Sequence, residues 1–171
     1  AIVGENPSKR DPPMTHPEPA HRDSHHLREE PGPMEPIPYE DRFTEEEVRR
    51  LRLGLVPQEM EEKWFVYCED DTLYFHRSWT GYCLYTLRVE PSGDGWQAAE
   101  ARVATNPEQY RRSTDDYECA MLRVLVRDLL LDQPMPFPRR HDDPPDIPDL
   151  LVQHHLVGRK LTDRALGIKR E

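Results

Sequence analysis

Four runs of apolar and aromatic residues, separated by short polar turns, occupy the middle of the chain. They are KWFVYC (63–68), LYFHRS (73–78), YCLYTLRVE (82–90) and GWQAAEARVAT (95–105). Aromatic and β-branched residues bounded by Asp, Gly, Pro and Ser clusters are typical of β-strands joined by hairpin turns. Because the turns are short, each run should pair antiparallel with the next. The pattern therefore predicts a four-stranded antiparallel meander.

Helical spacing is found on both sides of the meander. Thr44, with Glu47 three residues later, has the capping-box pattern of a helix start, and Gly54 ends this first short segment. A second helix is predicted over residues 113–131, and its apolar face consists of Tyr117, Met121, Leu122, Leu125, Leu129 and Leu130. A face this wide must be buried, and the sheet is available to bury it. We therefore expect an α+β fold, in which a four-stranded antiparallel meander sheet is covered on one face by a long helix.

Proline residues are concentrated towards the two ends of the chain. Of the 18 prolines, nine lie in residues 1–42 and six in residues 134–148. Proline removes a backbone donor and disfavours helix at the residue before it, so both regions resist regular structure. We therefore expect a disordered proline- and histidine-rich arm (1–42), an α+β core domain (43–133) and a proline-rich extended arm with a short C-terminal helix (134–171).

The formal net charge of −10 limits the classes of partner. An acidic domain repels phosphate backbones, so general nucleic-acid binding is not expected. The C-terminal residues 158–171 are an exception, because their basic side chains outnumber the acidic ones and could contact an acidic partner. These basic residues are Arg159, Lys160, Arg164, Lys169 and Arg170.

Cysteine usage and hydropathy bear on the compartment. Cys68, Cys83 and Cys119 are odd in number and have no C-x-x-C spacing, which favours a reducing compartment over a disulfide framework. The chain has no run of about 18 apolar residues and no basic segment followed by an apolar one near residue 1, so neither a membrane span nor a secretory signal is predicted. We therefore expect a cytoplasmic protein without a membrane partner.

Histidines are the candidate metal ligands, but their spacing matches no fixed site. They are His16, His21, His25 and His26 near one end of the chain, and His141, His154 and His155 near the other. Glycine-rich phosphate loops and the common hydrolase and metalloprotease motifs do not occur in the sequence. We therefore expect no metal site, and the residues indicate no class of cofactor.

The turn HRSWTG (76–81), between the second and third runs, is the candidate functional site. Arginine offers a planar fork to a carboxylate or phosphate, hydroxyls add short hydrogen bonds, and aromatic rings supply flat stacking faces. The predicted ligand-binding residues are Arg77, Ser78, Trp79, Thr80, Tyr82 and Trp64. A structural interpretation stays open beside this one. In that interpretation Arg77 lies at the edge of the buried layer, and an acid at the start of the second helix neutralises it; the candidates are Asp115, Asp116 and Glu118.

His76 is the candidate acid or base if the protein is an enzyme, because the ordinary pKa of histidine, about 6.5, lies close to neutrality. Asp115 or Asp116 would orient or activate a reacting group, and Arg77 would hold an anionic group of the substrate. This arrangement requires His76 to lie within hydrogen-bond reach of a carboxylate, directly or through one water. A hydrogen-bonded histidine inside the sheet is the alternative role of His76.

Two stretches of the chain resemble a small-domain family of uncharacterised bacterial proteins. The first is EEKWFVYCEDDTLYFHRSWTGYCLYTLRV, in which an aromatic strand leads into an HRSWTG-type turn. The second is DDYECAMLRVLVRDLLLDQPMPFP, with an acidic helix start, an apolar helix and a proline-rich exit. The resemblance covers roughly residues 60–138. It implies a small folded domain and carries no reaction, cofactor or catalytic residue.

Three functions stay open from the residues alone. The first is a non-enzymatic binding or accessory domain that engages a partner protein or a small anionic ligand at the Arg77–Tyr82 turn, with the proline-rich flanks as tethers. The second is a small hydrolase or transferase that acts on a nucleotide-like substrate. The third is a structural subunit whose arms order in a larger assembly. We favour the first, because the turn is rich in aromatic residues and no complete catalytic constellation accompanies it.

Overall fold

Six strands form one antiparallel sheet in a computed structural model of the chain, which describes residues 18–59 and 61–140. The strands are β1 (Met34–Ile37), β2 (Arg42–Phe43), β3 (Trp64–Glu69), β4 (Thr72–Arg77), β5 (Cys83–Ser92) and β6 (Gly95–Ala104). Their order across the sheet is β1-β6-β5-β4-β3, and β2 also pairs with β6. The candidate turn therefore joins two neighbouring strands, β4 and β5, close to the β3 edge of the sheet.

The predicted fold class is wrong in the number of strands. The sheet has six strands instead of four, because residues 34–43 add β1 and β2 along the free side of β6. Most of this segment belongs to the arm that we expected to be disordered or extended. Its apolar residues Ile37, Tyr39 and Phe43 are buried in the main core, and that burial offsets the cost of ordering a proline-rich segment.

The predicted fold class is also wrong in its long covering helix. The described residues contain two short α-helices, α1 (Glu45–Leu53) and α2 (Asp115–Arg123), each of nine residues. After α2 the backbone continues as a π-helical segment over Val124–Leu130, where three consecutive residues, 124–126, are buried. The start of α1 is as predicted, since Thr44 and Glu47 form both bonds of the capping box.

The sheet is covered on both faces at its β3 edge. Trp64 and Val66 belong to the main core, which the helices complete, whereas Phe65 and Tyr67 pack in a second cluster with Ala20. The four residues 64–67 are buried in succession, as expected for a strand with both faces covered. Residues 20–30 contribute to the second covering layer and are called the N-terminal cover below.

Arg127 fastens the π-helical segment to the neighbouring elements. Its guanidinium donates to both carboxylate oxygens of Asp41, at 3.1 and 2.6 Å, and to Glu47 Oε2 at 2.6 Å. It also donates to Gln133 Oε1 at 3.0 Å and to the Arg42 carbonyl at 2.6 Å. Charge-assisted bonds of this kind are roughly twice as strong as neutral ones. This network ties the end of the helical layer to β2 and α1.

Several sequence predictions fall on residues 1–17 and 141–171, which lie outside the described residues. They include the short C-terminal helix, the basic C-terminal segment and the histidines at positions 16, 141, 154 and 155. Residues 134–140, at the start of the predicted C-terminal arm, contain no helix or strand. The division of the chain into domains stays a prediction. In the described part of the chain, no helix is both long enough and apolar enough to span a membrane.

Candidate functional site

The turn from Arg77 to Tyr82 is held by backbone bonds at both of its ends. Gly81 N–H donates to the Arg77 carbonyl at 2.8 Å, and Arg77 N–H donates to the Tyr82 carbonyl at 2.9 Å. Ser78 ties the turn to the segment before β3, because its N–H donates to the Lys63 carbonyl at 2.9 Å and its hydroxyl donates to the Glu62 carbonyl at 2.7 Å. The Ser78 hydroxyl therefore has a structural role: it holds the corner between the turn and the segment before β3.

Arg77 points to the main core rather than to the tip of the turn. Its guanidinium carbon lies 5.1 Å from the centroid of the Trp64 ring, and Trp64 is only 2% exposed. Burial lowers the pKa of Arg77, while the nearby phenols of Tyr110, Tyr85 and Tyr117 act in the opposite direction. The half-buried Arg77 thus lies beside Trp64 in a buried layer of aromatic rings. That an acid at the start of α2 neutralises Arg77 stays a prediction.

Glu118 is the buried acid of that layer. It is fully buried, and its Oε1 accepts from the Tyr85 hydroxyl at 2.9 Å and from the Tyr110 hydroxyl at 2.6 Å. The other two candidate acids are exposed at the first turn of α2, where Asp115 accepts from Arg112 at 2.5 Å. Of the three acids proposed as internal partners for Arg77, only Glu118 is therefore enclosed in the protein.

His76 lies on the opposite face of the sheet from Arg77, and it is fully buried. Its Nδ1 is 2.8 Å from the Gly81 carbonyl oxygen, and its ring stacks on Tyr67 at 5.6 Å. Its Nε2 has no hydrogen-bond partner among the residues that the structure describes. Burial lowers the pKa of His76. The structure does not bring His76 into hydrogen-bond contact with Asp115 or Asp116.

A groove opens beside the turn, with a volume of about 410 Å³. The turn contributes Ser78 and Trp79, the N-terminal cover contributes His25, His26 and Leu27, and the segment before β3 contributes Pro57, Gln58 and Glu59. Trp79 is 58% exposed and Leu27 is 36% exposed, which makes them the exposed large hydrophobic residues of the described chain. The ammonium of Lys63 lies 4.4 Å from the centroid of the Trp79 ring.

The cover that forms one wall of the groove is bonded directly to the turn. His25 Nε2 lies 2.8 Å from the Ser78 carbonyl oxygen, and Glu29 N–H donates to the Gly81 carbonyl at 2.8 Å. Gly81 has a φ of +79°, and a Cβ at this position would meet the backbone of Arg28 at 2.9 Å and that of Leu27 at 3.0 Å. Only glycine allows the cover to approach this closely.

The predicted binding residues do not converge on one hollow. Ser78 and Trp79 line the groove, whereas Arg77 and Trp64 belong to the core layer on the other face. Thr80 is exposed and accepts from Tyr82 N–H at 3.3 Å, and the Tyr82 side chain packs against the main core. The prediction that the guanidinium and the exposed indole share a hollow is therefore not supported by the geometry.

Sequence reasoning missed six groove residues, which come from the cover and from positions 57–59. From the sequence, His25 and His26 are candidates only for metal binding, whereas in the structure His25 bonds the Ser78 carbonyl of the turn. Within the described residues, no three His, Cys, Asp or Glu side chains are grouped as they would be around a metal ion. A local signal for the groove existed only in Trp79, since its other walls are distant in sequence.

No known family model, curated protein or solved structure matches this chain. The resemblance to a bacterial small-domain family stays a prediction. Function is therefore inferred from the groove, the turn and the cover themselves.

Proposed function

We propose that this protein is a non-enzymatic binding domain that engages an extended segment of a partner protein in the groove between Trp79 and Leu27. One observation carries the proposal: the two exposed large hydrophobic residues of the described chain line the same groove. Scattered exposed apolar residues are ordinary on protein surfaces, but apolar residues gathered in one concavity mark interaction sites. Tryptophan is also one of the residue types that most often dominate the binding energy of protein interfaces.

The lining of the groove favours a polypeptide over a small anion. Trp79, Leu27 and Pro57 offer apolar surface, and Gln58 and Glu59 add polar groups. Its volume of about 410 Å³ lies within the range of ligand-binding clefts. Arg77, the cation expected to hold an anion, lies in the core layer beside Trp64. We therefore favour the partner-protein form of the binding hypothesis.

Charge complementarity indicates which kind of segment fits. The chain carries a formal charge of −10, and Glu59 contributes to the groove itself. An acidic domain attracts basic segments and speeds their encounter. The proposed ligand is thus an extended segment that places an aliphatic or prolyl side chain against the part of the Trp79 ring that Lys63 leaves exposed, and that carries lysine or arginine next to this anchor.

Peptide selection tests this function. A displayed library of random peptides is selected on the folded protein at neutral pH, and enriched peptides are synthesised and titrated into wild type, Trp79→Ala, Leu27→Ala and Thr80→Ala. Thr80 is exposed next to Trp79 but does not line the groove, so its variant is the matched control. We expect basic peptides with an apolar anchor, and Trp79→Ala should weaken them by at least about tenfold, as for a binding hot spot.

The proposal fails if the enriched peptides bind Trp79→Ala and wild type equally, or if they perturb NMR amide signals remote from residues 25–27 and 78–80. Circular dichroism of each variant separates loss of binding from loss of folding. An enrichment of acidic peptides would contradict the proposed partner chemistry while leaving the groove as the site.

The other functions lack support from the described residues. A hydrolase or transferase would need His76 near Asp115 or Asp116, and His76 instead bonds the Gly81 carbonyl on the opposite face from Arg77. The structural-subunit function depends on the two arms, of which residues 1–17 and 141–171 lie outside the described part. The cytoplasmic location, the basic C-terminal contact and the absence of general nucleic-acid binding stay predictions.

A further inference from the structure

One carbonyl group holds both the N-terminal cover and a buried histidine. The Gly81 oxygen accepts Glu29 N–H at 2.8 Å from the cover and lies 2.8 Å from His76 Nδ1. Because a carbonyl can only accept, His76 must carry its hydrogen on Nδ1, and Nε2 then has only a lone pair. The cover and the His76 ring are thus held at the same acceptor atom.

A second proton on His76 has no favourable place in the closed protein. It would occupy Nε2, which is buried and has no hydrogen-bond partner among the described residues. A buried charge without a hydrogen-bond acceptor is expensive, and burial already lowers the pKa of this ring. A proton taken from water at Nε2 therefore destabilises the arrangement that encloses the imidazole.

The charged and titratable groups around His76 come mostly from the cover. Arg28 and His25 oppose protonation of His76, whereas Glu30 favours it. Glu30 is itself engaged, since it accepts from Arg28 at 2.7 Å and its side chain is 72% exposed. Tyr67 stacks on the ring from β3, and Cys83 faces it across the β4–β5 pair. No enclosed carboxylate among these groups balances a proton on His76.

The cover is the part of this site that can move away at the lowest cost. Most residues between 20 and 30 are exposed, and Ala20 is the one that is fully enclosed. Segments with little buried apolar surface open locally at free energies far below that of global unfolding. Opening of residues 25–30 would bring water to the imidazolium and leave the strands paired.

We propose that the N-terminal cover is a proton-operated latch: when His76 takes up a proton below neutral pH, residues 25–30 leave the turn and the groove loses the wall formed by His25, His26 and Leu27. The effect on binding rests on the function proposed above, since it concerns the same groove. Opening of the cover itself does not depend on any ligand. The groove is therefore complete at neutral pH and incomplete in mild acid.

Hydrogen exchange of the ligand-free protein tests the latch. NMR protection factors, corrected for the intrinsic pH dependence of exchange, are measured at pH 7.5 and pH 5.0 for the Glu29 amide and for the core-strand amides of Leu87 and Val103. We expect Glu29 protection to fall severalfold, because the pKa of His76 is lowered in the closed protein and protonation therefore favours the open form. At both pH values Glu29 should be much less protected than the core amides, because it exchanges through local opening and they exchange through global unfolding. His76→Gln should abolish the fall, because glutamine can donate to the Gly81 carbonyl but does not titrate. His21→Gln, at an exposed position outside the groove lining, should leave it unchanged.

Three outcomes would overturn the latch: Glu29 protection that does not change with pH, an equal fall in His76→Gln, or Glu29 protection equal to that of the core amides, which would mean that Glu29 exchanges only through global unfolding. If His76→Gln does not fold, the imidazole ¹⁵N signals of wild-type His76 replace it. Their titration midpoint must then coincide with the midpoint for loss of Glu29 protection, and separate midpoints would reject the proposal. Because no peptide is present, a failed latch and a failed peptide-binding function give different results.

Discussion

Replacing Gly81 with alanine adds one methyl group at the point where the cover meets the turn. The φ of Gly81 is +79°, and the new Cβ would lie 2.9 Å from Arg28 N and 3.0 Å from the Leu27 carbonyl carbon. Both neighbours are backbone atoms, so a change of side-chain rotamer cannot relieve the contact. Either the turn or the cover must shift.

Two contributions set the size of the effect. A left-handed conformation costs an alanine about 1–2 kcal/mol. The contact also falls well inside the roughly 3.5–4.0 Å optimum for non-bonded carbon atoms, so the cover has to retreat by about 0.5–1 Å. That retreat weakens the Glu29 bond to the Gly81 carbonyl, and an intramolecular hydrogen bond contributes about 1 kcal/mol net. We expect Gly81→Ala to lower the free energy of unfolding by about 2–3 kcal/mol.

Gly93→Ala is the matched control for this experiment. Gly93 also has a positive φ, +58°, but a Cβ there would meet nothing within 4 Å. It should therefore lose only the conformational contribution of about 1–2 kcal/mol. Urea unfolding at pH 7.5, followed by tryptophan fluorescence, gives both free energies. Equal losses in the two variants would refute the close approach of the cover to Gly81.

Two further predictions concern stability. Arg127→Met should lower the free energy of unfolding by about 2–3 kcal/mol, because it leaves Asp41 and Glu47, whose side chains are only 12% and 18% exposed, without their cation. Arg49→Met, which removes an exposed pair with Glu46, should change it by less than about 0.5 kcal/mol, and similar urea midpoints for the two would contradict this ranking. Stability should also fall as the pH drops below about 6.5, because the unfolded chain binds a proton at His76 more readily than the folded protein, in which the pKa of His76 is lowered. The pKa values of Glu47 and Glu30 are also lowered, but these carboxylates reduce stability only near and below their ordinary pKa of 4.5. Urea unfolding of wild type and His76→Gln between pH 7.5 and 5.0 therefore isolates the contribution of the histidine. Parallel losses of stability in the two proteins would contradict this role of His76.

The sequence pattern locates the strands of the meander but not the whole sheet. The four runs coincide with β3, β4, β5 and β6 to within two residues at each end. Their alternation and turn residues are local properties, so a local pattern is sufficient. β1 contains Pro36 and Glu35, and its composition resembles that of an arm. It is a strand because β6 pairs with it, and that pairing joins residues 64 to 70 positions apart.

The candidate site was predictable only in its turn. HRSWTG is conspicuous in the sequence, and Trp79 does reach the surface there. Its partners across the groove, Leu27 and Pro57, lie in segments without any local sign of an interaction site. The change from α to π geometry at Val124 was also hidden, because the apolar face of the predicted helix reads as a regular α-helical pattern.

The origin of the cover in residues 20–30 has a practical consequence for anyone who shortens this protein. The proline-rich composition before residue 43 would suggest removing that whole segment. The shortened protein would retain the meander but lose β1 and the N-terminal cover. Phe65, Tyr67 and His76, all fully or almost fully enclosed in the intact chain, would face solvent, and β6 would have an open side. Such a fragment would self-associate through its newly exposed apolar surface and open sheet edge. An interaction screen with it would therefore detect non-specific association instead of specific binding.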